Sequence, residues 1–194
     1  MTRRRRLAPA QRYGQLVEVG AELFAERPYD DVRMEDVAIR AGVSRALLYQ
    51  HFSAKRDLFA AVYRQAADRL LATTQLDPGE PLAEQVAAGL DAHLDYFVAN
   101  RNTVLAANRV LAGDPTIQAV ISDELAELRR RLLDVVGLHG PRRHLVSATL
   151  WSWLVFVRTL CVDWLANPDA FSRDELRAVC SGALLGALDA VGPP

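Results

Sequence analysis

The sequence predicts an all-α fold of about nine helices, because apolar residues recur at helical spacing between clear helix-ending signals. Positions three and four apart are apolar over long stretches, whereas no stretch of useful length alternates apolar and polar residues as a strand would. Glycine, proline and capping residues separate the periodic stretches. The 194 residues, 51% of them hydrophobic, suffice to bury a core in one or two small domains.

The run AGVSRALLYQHF, which spans residues 41–52, predicts a tight turn followed by a short helix. Gly42 can take the left-handed backbone that ends one helix, and Ser44 can cap the next by accepting a hydrogen bond from a backbone N–H. Apolar residues on both sides of this turn would pack against one another: Met34, Val37, Ala38, Leu48 and Phe52. Two helices joined in this way indicate a helix-turn-helix.

The second helix of this motif carries residues that suit the major groove of DNA. Arg45, Ala46, Tyr49 and Gln50 point away from its apolar face. Because arginine can read guanine and glutamine can read adenine, we expect Arg45 and Gln50 to contact bases. Tyr49 is expected to contact phosphate.

Residues 12–63 resemble the N-terminal domain of the tetracycline-repressor (TetR-like) transcription regulators. The resemblance rests on an amphipathic first helix and on matches in and around the turn, namely Ala21, Leu23, Phe24, Asp36-Val37-Ala38, Gly42-Val43-Ser44, Leu48-Tyr49, His51-Phe52 and Lys55. It implies an all-helical homodimer whose three-helix N-terminal domain binds a palindromic operator in double-stranded DNA. It also implies a C-terminal domain that binds a small-molecule effector. The effector would shift the connecting helix, change the separation of the recognition helices and release the DNA, as in a cytoplasmic repressor.

The chain departs from the family pattern at three places. Pro28-Tyr29 stands where many relatives have a glycine before the aromatic residue, which predicts a tighter turn. Val32-Arg33 stands where threonine or serine usually caps the second helix, so either Asp31 is the cap or the helix starts elsewhere. Leu47 replaces a small or polar residue, and it would either touch a thymine methyl group or pack inward.

The charge distribution predicts that only the first part of the chain meets DNA. Residues 1–64 hold twelve Arg and Lys against eight Asp and Glu, a net +4, which leaves eleven against sixteen, a net −5, for the rest. We predict a flexible basic arm (1–11), a helix-turn-helix domain (12–53), a connecting helix (54–74) and a ligand-binding and dimerisation domain (75–194). The arm would neutralise phosphates or enter a minor groove, unless it is only a solvated tail. The predicted DNA contacts are Arg3, Arg4, Arg5, Arg6, Arg33, Ser44, Arg45, Ala46, Leu47, Tyr49, Gln50, His51 and Lys55, the last of them to phosphate.

Capping and helix-ending signals divide the rest of the chain. Ser53 can cap the connecting helix, which begins at Ala54, and Ser172 with Glu175 can form a capping box. Between these signals we expect helices at about 82–98, 102–112, 115–136, 141–166 and 173–191, the third of them capped by Asp114.

The last two of these helices are apolar on more than one face. Residues 145–157 are thirteen uncharged residues, fewer than the ~20 that span a bilayer, so we expect burial in protein and no membrane partner. Gly182 and Gly186 belong to a small-residue surface that lets another helix approach closely. The resemblance implies that these two helices from each subunit form a four-helix dimer interface. Such a dimer would hold its recognition helices roughly 34 Å apart on a palindrome.

Candidate ligand contacts lie around the predicted interior of the second domain. His93 shares an apolar face with Phe97, and it is either a satisfied core histidine or a ligand contact. Arg158 is a cation in an apolar run, so it either anchors a ligand carboxylate, forms an interface ion pair or extends its charged end to solvent. The candidates are His93, Tyr96, Phe97, Asn100, Asn108, Trp151, Phe156 and Arg158. Their apolar surroundings favour a hydrophobic or aromatic effector.

The sequence gives no indication of an enzyme, a metal site or a cofactor. Its four histidines lack metal-ligand spacing, and it contains no nucleophile motif or phosphate loop. Cys161 and Cys180 fall in apolar surroundings that indicate buried thiols. Two other classes stay open: a dimeric module that binds a small molecule or a protein without controlling DNA, and a helical-bundle enzyme without a recognisable catalytic group.

Overall fold

The computed structural model describes residues 8–74, 76–77, 79–136 and 142–191, and within them it contains nine α-helices and no strand. The helices are α1 (Pro9–Glu26), α2 (Met34–Ala41), α3 (Arg45–His51), α4 (Lys55–Thr73), α5 (Leu82–Ala99), α6 (Arg101–Leu105), α7 (Pro115–Val136), α8 (Arg142–Ala166) and α9 (Arg173–Val191). A 3-10 turn at Tyr29–Asp31 follows α1, and a π-helical turn at Ala106–Val110 follows α6. The predicted all-α class is confirmed.

The first three helices pack around one apolar centre, which α4 closes. Leu23 of α1, Leu48 of α3, and Leu58 and Phe59 of α4 are fully buried. Gly20 lets α1 and α4 approach closely, because a Cβ at this position would lie 3.1 Å from the Cδ1 atom of Leu58. The helix-turn-helix therefore shares its core with the helix that follows it.

The helix α4 continues into the second part of the molecule, where it runs parallel to α7. At their first turns, Arg56 of α4 lies 3.4 Å from the carboxylate of Asp114, which precedes α7. At their last turns, Arg131 of α7 donates a hydrogen bond of 2.9 Å to the carbonyl oxygen of Thr74. These links hold α4 to α7 at both ends.

Two predicted helix caps are confirmed. The carboxylate of Asp114 accepts hydrogen bonds from the N–H groups of Thr116 (2.9 Å) and Ile117 (3.1 Å), and α7 begins at Pro115. Ser172 and Glu175 form the expected capping box, because the Ser172 N–H donates to the Glu175 carboxylate at 2.8 Å. The N–H of Glu175 donates in return to the Ser172 hydroxyl at 3.2 Å.

One predicted helix and one predicted cap differ from the structure. The helix expected at 102–112 begins one residue earlier and widens into the π-helical turn, in which the Leu111 N–H donates to the Ala106 carbonyl at 2.8 Å. Ser53 is not the cap of α4, since Ala54 takes that position and its N–H donates to the Asp57 carboxylate at 3.1 Å. The helix start expected at Pro141 lies outside the described residues.

The helix α8 is the one described helix that is long and apolar enough, by length and composition, to cross a membrane. It has 25 residues, about twice the length of the uncharged run 145–157, and 39% of its most apolar 18-residue stretch is buried inside the protein. Its inner face is protein core, where the Trp153 indole donates 2.8 Å to the Cys180 carbonyl of α9. Burial raises the pKa of the Cys161 thiol to about 12 and that of Cys180 to about 11, as expected for unreactive buried thiols.

Candidate nucleic-acid interface and ligand cavity

The turn between α2 and α3 is built as the sequence predicts. Gly42 has φ 64° and ψ 37°, and it is the one residue with positive φ among those described. The Ser44 hydroxyl accepts a hydrogen bond of 3.2 Å from the Leu47 N–H, which caps α3. Leu48 is fully buried and fixes the rotation of α3 about its axis. The polar residues of α3 therefore face outward.

The start of α2 resolves an alternative that the sequence left open. Arg33, not Asp31, is the cap residue, and its N–H donates to the Asp36 carboxylate at 3.4 Å. Asp31 instead ends the 3-10 turn. The Arg33 side chain is exposed beside the N-terminus of α2, where backbone N–H groups also favour a phosphate.

The residues predicted to face the groove lie on one outward face of α3. Those that are exposed are Ser44, Arg45, Ala46, Tyr49 and Gln50. His51 and Leu47 are half-buried, and the Tyr13 ring of α1 packs edge-on against His51 at a centroid distance of 6.4 Å. Leu47 therefore lies between the two predicted positions, one exposed to a thymine methyl group and the other packed into the core. The predicted arm, Arg3 to Arg6, lies outside the described residues.

Two predicted DNA contacts have protein partners in the free chain. The guanidinium of Arg45 pairs with Glu35 of α2, and its side chain is 65% exposed. The Lys55 ammonium donates a hydrogen bond of 2.8 Å to the Tyr29 carbonyl and lies 4.2 Å from the centre of the Tyr29 ring. Lys55 thus holds the 3-10 turn against α4, a role that the sequence analysis missed.

A cavity of about 70 Å³ lies in the second part of the molecule. Helices α4, α5, α7 and α8 and the segment before α5 line it with Leu70, Thr74, Leu76, Gln85, Val86, Gly89, Leu90, His93, Leu125, Leu128, Leu132, Trp153, Leu154, Val157 and Arg158. Most of these side chains are apolar. The cavity is smaller than the ~300–1,000 Å³ of typical ligand pockets, so a larger ligand would have to part the helices.

A buried polar cluster surrounds Arg158 at one side of this cavity. Its Nη1 atom lies 3.3 Å from the Glu124 carboxylate of α7, and its Nε atom donates to Asn108 Oδ1 at 3.0 Å. Its Nη2 atom donates to the hydroxyl of Tyr63 on α4. The Arg158 and Glu124 side chains are only 7% and 4% exposed. Arg158 thus forms an ion pair within the chain, whereas the predicted ion pair lay at an interface, and its role as a ligand anchor stays a prediction.

His93 borders the cavity next to this cluster. Its Nε2 atom is buried and has no hydrogen-bond partner, and its ring lies 4.0 Å from that of Phe97. Burial, with a smaller contribution from the charge of Arg158, lowers the pKa of His93 to about 3, so the imidazole is neutral at physiological pH. His93 is therefore a core histidine that lacks the partner such a residue normally has.

Some of the other candidate ligand residues belong to the cluster or lie near it, and the rest lie elsewhere. Phe97 is buried behind His93, and Asn108 binds Arg158. Tyr96, Asn100, Trp151 and Phe156 do not line the cavity. Asn100 donates to the Tyr96 carbonyl at the end of α5, Trp151 packs against Arg129, and Phe156 is exposed on the outer face of α8.

The sequence analysis missed Glu124 and Tyr63. A signal for Glu124 was present, because Glu124 occupies the core side of α7 together with Ile117, Ile121 and Leu125. An acidic residue on an apolar helix face indicates a buried partner. Tyr63 gave no such signal, since tyrosine occurs often in ordinary cores.

Comparisons with known proteins agree with this geometry. Residues 16–62 match the family profile described as "Bacterial regulatory proteins, tetR family". Over 94 residues the chain is 35% identical to the HTH-type transcriptional activator FasR of Mycolicibacterium smegmatis, covering 47% of this chain and 43% of FasR. It is 27% identical over 172 residues to the HTH-type transcriptional regulator CymR of Pseudomonas putida, covering 82% and 83% of the two chains.

The chain spans about half the length of the first curated relatives that it matches, 43% and 53% in two cases. FasR and CymR are both described as HTH-type transcription regulators. A tetR-family transcriptional regulator from Streptomyces coelicolor has a similar fold, with a TM-score of 0.83 and 21% identity over 95% of this chain and 83% of that one.

Proposed function

We propose that this chain, whose residues 16–62 match the profile of the bacterial regulatory proteins of the tetR family, is a member of that family and a ligand-responsive regulator of transcription. Its helix α3 would enter the major groove of double-stranded DNA, with Arg45 and Gln50 contacting bases and Tyr49 contacting phosphate. Its cavity would bind a small, mainly apolar effector. No enzymatic step is part of this function.

The observation that carries the proposal is the position of α4. Its first half supplies Leu58 and Phe59 to the core of the helix-turn-helix domain, and its second half supplies Leu70 and Thr74 to the cavity. A ligand that parts the cavity walls therefore displaces a helix on which the helix-turn-helix is built. Such a ligand binds one arrangement of α4 better than the other, which is the requirement for coupling two sites.

The outer faces of α8 and α9 favour a homodimer. Val155 and Phe156 on α8 and Val179 on α9 are exposed, although they are large and apolar. A Cβ added at Gly182 or Gly186 would meet no atom within 4 Å, so a second helix has room to approach. Joining these faces from two copies would bury them and pair two α3 helices on a palindromic operator.

Repression released by the effector is the output that we propose, in the cytoplasm where bacterial DNA lies. Polarity depends on where the operator lies relative to its promoter, and the relative FasR bears the description of an activator. A reporter gene behind the operator, with and without this protein, tests the polarity. Higher expression without the protein is the expected result, and lower expression would instead indicate activation.

The test of DNA binding is fluorescence anisotropy of the purified protein with duplexes from the region upstream of its own gene. We expect tight binding that weakens with salt and that exceeds binding to a scrambled duplex. Arg45→Ala should weaken this binding, because Arg45 is a proposed base contact. Arg130→Ala is the control and should leave binding unchanged, because Arg130 is also an exposed arginine in an ion pair but lies on α7. Equal, weak binding of the native and scrambled duplexes, followed by failure of a genome-wide site selection, would contradict the proposal and favour a binding module without DNA control.

A further inference from the structure

The Glu124–Arg158 pair occupies the place at which a carboxylate ligand would find its counter-charge. Each of the three nitrogen atoms of the Arg158 guanidinium already binds a protein acceptor, and one of these acceptors is the Glu124 carboxylate. Both side chains are almost completely buried. Because the two charges offset each other, the wall of the cavity carries no net charge at this point.

A second carboxylate in this cavity would be unfavourable. It would lie in an apolar space beside Glu124, where like charges repel. Among the described residues that line the cavity, the charged donors still open to it are the two remaining N–H groups of the Arg158 guanidinium. Burial already raises the pKa of Glu124 against the opposing effect of Arg158, so this site holds even one carboxylate with difficulty. Glu124 thus disfavours anionic ligands.

His93 offers a different kind of contact. His93 lines the cavity, and its Nε2 atom is buried without a hydrogen-bond partner. In the neutral imidazole this atom can donate or accept one hydrogen bond, depending on the tautomer. A buried polar atom left in this state destabilises the protein, and a hydroxyl or carbonyl group of a ligand would satisfy it. The remaining walls supply apolar contacts.

We infer that the effector is an uncharged, mainly apolar molecule with one hydroxyl or carbonyl group directed at His93, and that Glu124 excludes carboxylates by filling their position beside Arg158. This inference rests on the proposed function for the existence of an effector. It adds the chemical class of that effector and names the residue that selects against acids.

The experiment is isothermal titration calorimetry of the purified full chain, without DNA, against toluene, benzyl alcohol and benzoate at pH 7.5. These probes share one ring and differ at one group, and octanol and octanoate repeat the comparison on a longer chain. We expect benzyl alcohol to bind about tenfold more tightly than benzoate and several-fold more tightly than toluene. Benzoate binding as tightly as benzyl alcohol, or no binding of any probe at about 1 mM, would overturn the inference.

Two substitutions locate the selectivity. In Glu124→Gln, the ratio of benzoate affinity to benzyl alcohol affinity should rise about tenfold, because Arg158 has lost its charged partner. Glu84→Gln, an exposed change on the cavity-lining helix α5, should leave this ratio as it is. In His93→Leu, the preference for benzyl alcohol over toluene should disappear. Retention of both wild-type ratios in these variants, with circular dichroism showing native helix content, would assign the selectivity to other residues.

The outcomes for the ligand class and for the proposed function are separable. If a carboxylate ligand binds and releases DNA, the regulator stands and the inference about Glu124 fails. If benzyl alcohol binds with the expected preference while no DNA is bound, the inference stands and the chain is a binding module. If Glu124→Gln does not fold, the comparison of probes on the wild-type protein decides alone.

Discussion

Two arginines of this chain form the same kind of ion pair in opposite environments. Arg45 on the recognition helix pairs with Glu35 and keeps 65% of its side chain exposed, whereas Arg158 pairs with Glu124 and is 7% exposed. An exposed pair contributes about 0–1 kcal/mol, so Arg45 can exchange Glu35 for DNA at little cost. A buried charge without its partner is strongly destabilising, so Arg158 is confined to its cluster. Solvent exposure therefore separates Arg45, which is free to contact DNA as we propose, from Arg158, which stabilises the core.

The largest expected effect comes from breaking the buried pair. Arg158→Met leaves the Glu124 carboxylate buried without its counter-charge and should lower the free energy of unfolding by about 3–5 kcal/mol. Urea denaturation followed by circular dichroism measures this change. Arg130→Met replaces an exposed arginine of α7; it is the control and should leave the free energy of unfolding nearly unchanged. A double variant that also carries Glu124→Met should recover much of the loss, and failure to recover would show that packing, not charge, is the cause.

The second effect is a dependence of stability on pH that originates in His93. The pKa of His93 is about 3 in the folded chain and about 6.5 in an unfolded one. Because the pKa of His93 is lowered by folding, its contribution to the free energy of unfolding is fully present above pH 6.5. This contribution is lost as the pH falls from 6.5 toward 3, by about 1.4 kcal/mol per pH unit. Arg158, Glu124 and Tyr96 also face this region, and they remain in the variant proposed next.

The measurement is the difference in unfolding free energy between wild type and His93→Leu from pH 7.5 to pH 4.5. The variant should gain stability relative to wild type as the pH falls, by about 2–3 kcal/mol at pH 4.5, because leucine takes up no proton. His144→Leu, which replaces an exposed histidine, controls for histidine loss in general. A constant difference across this range would mean that water reaches His93 and that its pKa is ordinary.

Arg45, the exposed arginine of the two, should contribute to DNA binding and little to stability, which is the reverse of what we expect for Arg158. Arg45→Ala should weaken binding to the operator by about 1–3 kcal/mol and relax the preference at one base pair. Its free energy of unfolding should change by no more than about 0.5 kcal/mol. Anisotropy with a set of single-base operator variants separates base reading from phosphate contact. An even loss over all sequences, with a shallower salt dependence, would place Arg45 on phosphate instead.

The smallest effect concerns a glycine in the cavity wall. Gly89 lies inside α5, and a Cβ added there would meet no atom within 4 Å. Gly89→Ala should therefore raise the free energy of unfolding by about 0.5–1 kcal/mol through helix propensity, while narrowing the space for a ligand. Thermal denaturation and the titration with octanol measure the two effects. Unchanged octanol binding in the variant would show that the methyl group points away from the ligand, and tighter binding would show that it contacts the ligand without crowding it.

The sequence predicted the helix-turn-helix well because its determinants are local. Gly42 and Ser44 act on backbone groups within four residues of themselves, and Leu48 fixes which face of α3 is buried. The cavity is different, since Tyr63 and Arg158 meet across 95 positions of sequence. No periodicity encodes such a contact, so the candidate set included Phe156 and Trp151, which are apolar and helical but do not line the cavity.

The shift of the cap of α2 has a similar explanation. A cap from Asp31 requires only a suitable side chain, which the sequence shows, but the 3-10 turn uses Asp31 as its last residue. That turn is held by Lys55 from the start of α4. Lys55, which lies 26 positions after Tyr29 in the sequence, thus contributes to where α2 begins.

The small cavity volume sets how the strength of an effector should be interpreted. If a ligand fits only when α4 and α7 are separated, it binds an open form that the free chain populates for a fraction of the time. The measured dissociation constant is then the intrinsic dissociation constant divided by this fraction. A form populated at about 1% would make a ligand appear about a hundredfold weaker than its contacts warrant. The bond from Arg131 to Thr74 lies between these two helices. The strength of this hydrogen bond would help to set the population of the open form. It would therefore change the effector concentration at which the protein responds, although Arg131 and Thr74 need not contact the effector through it.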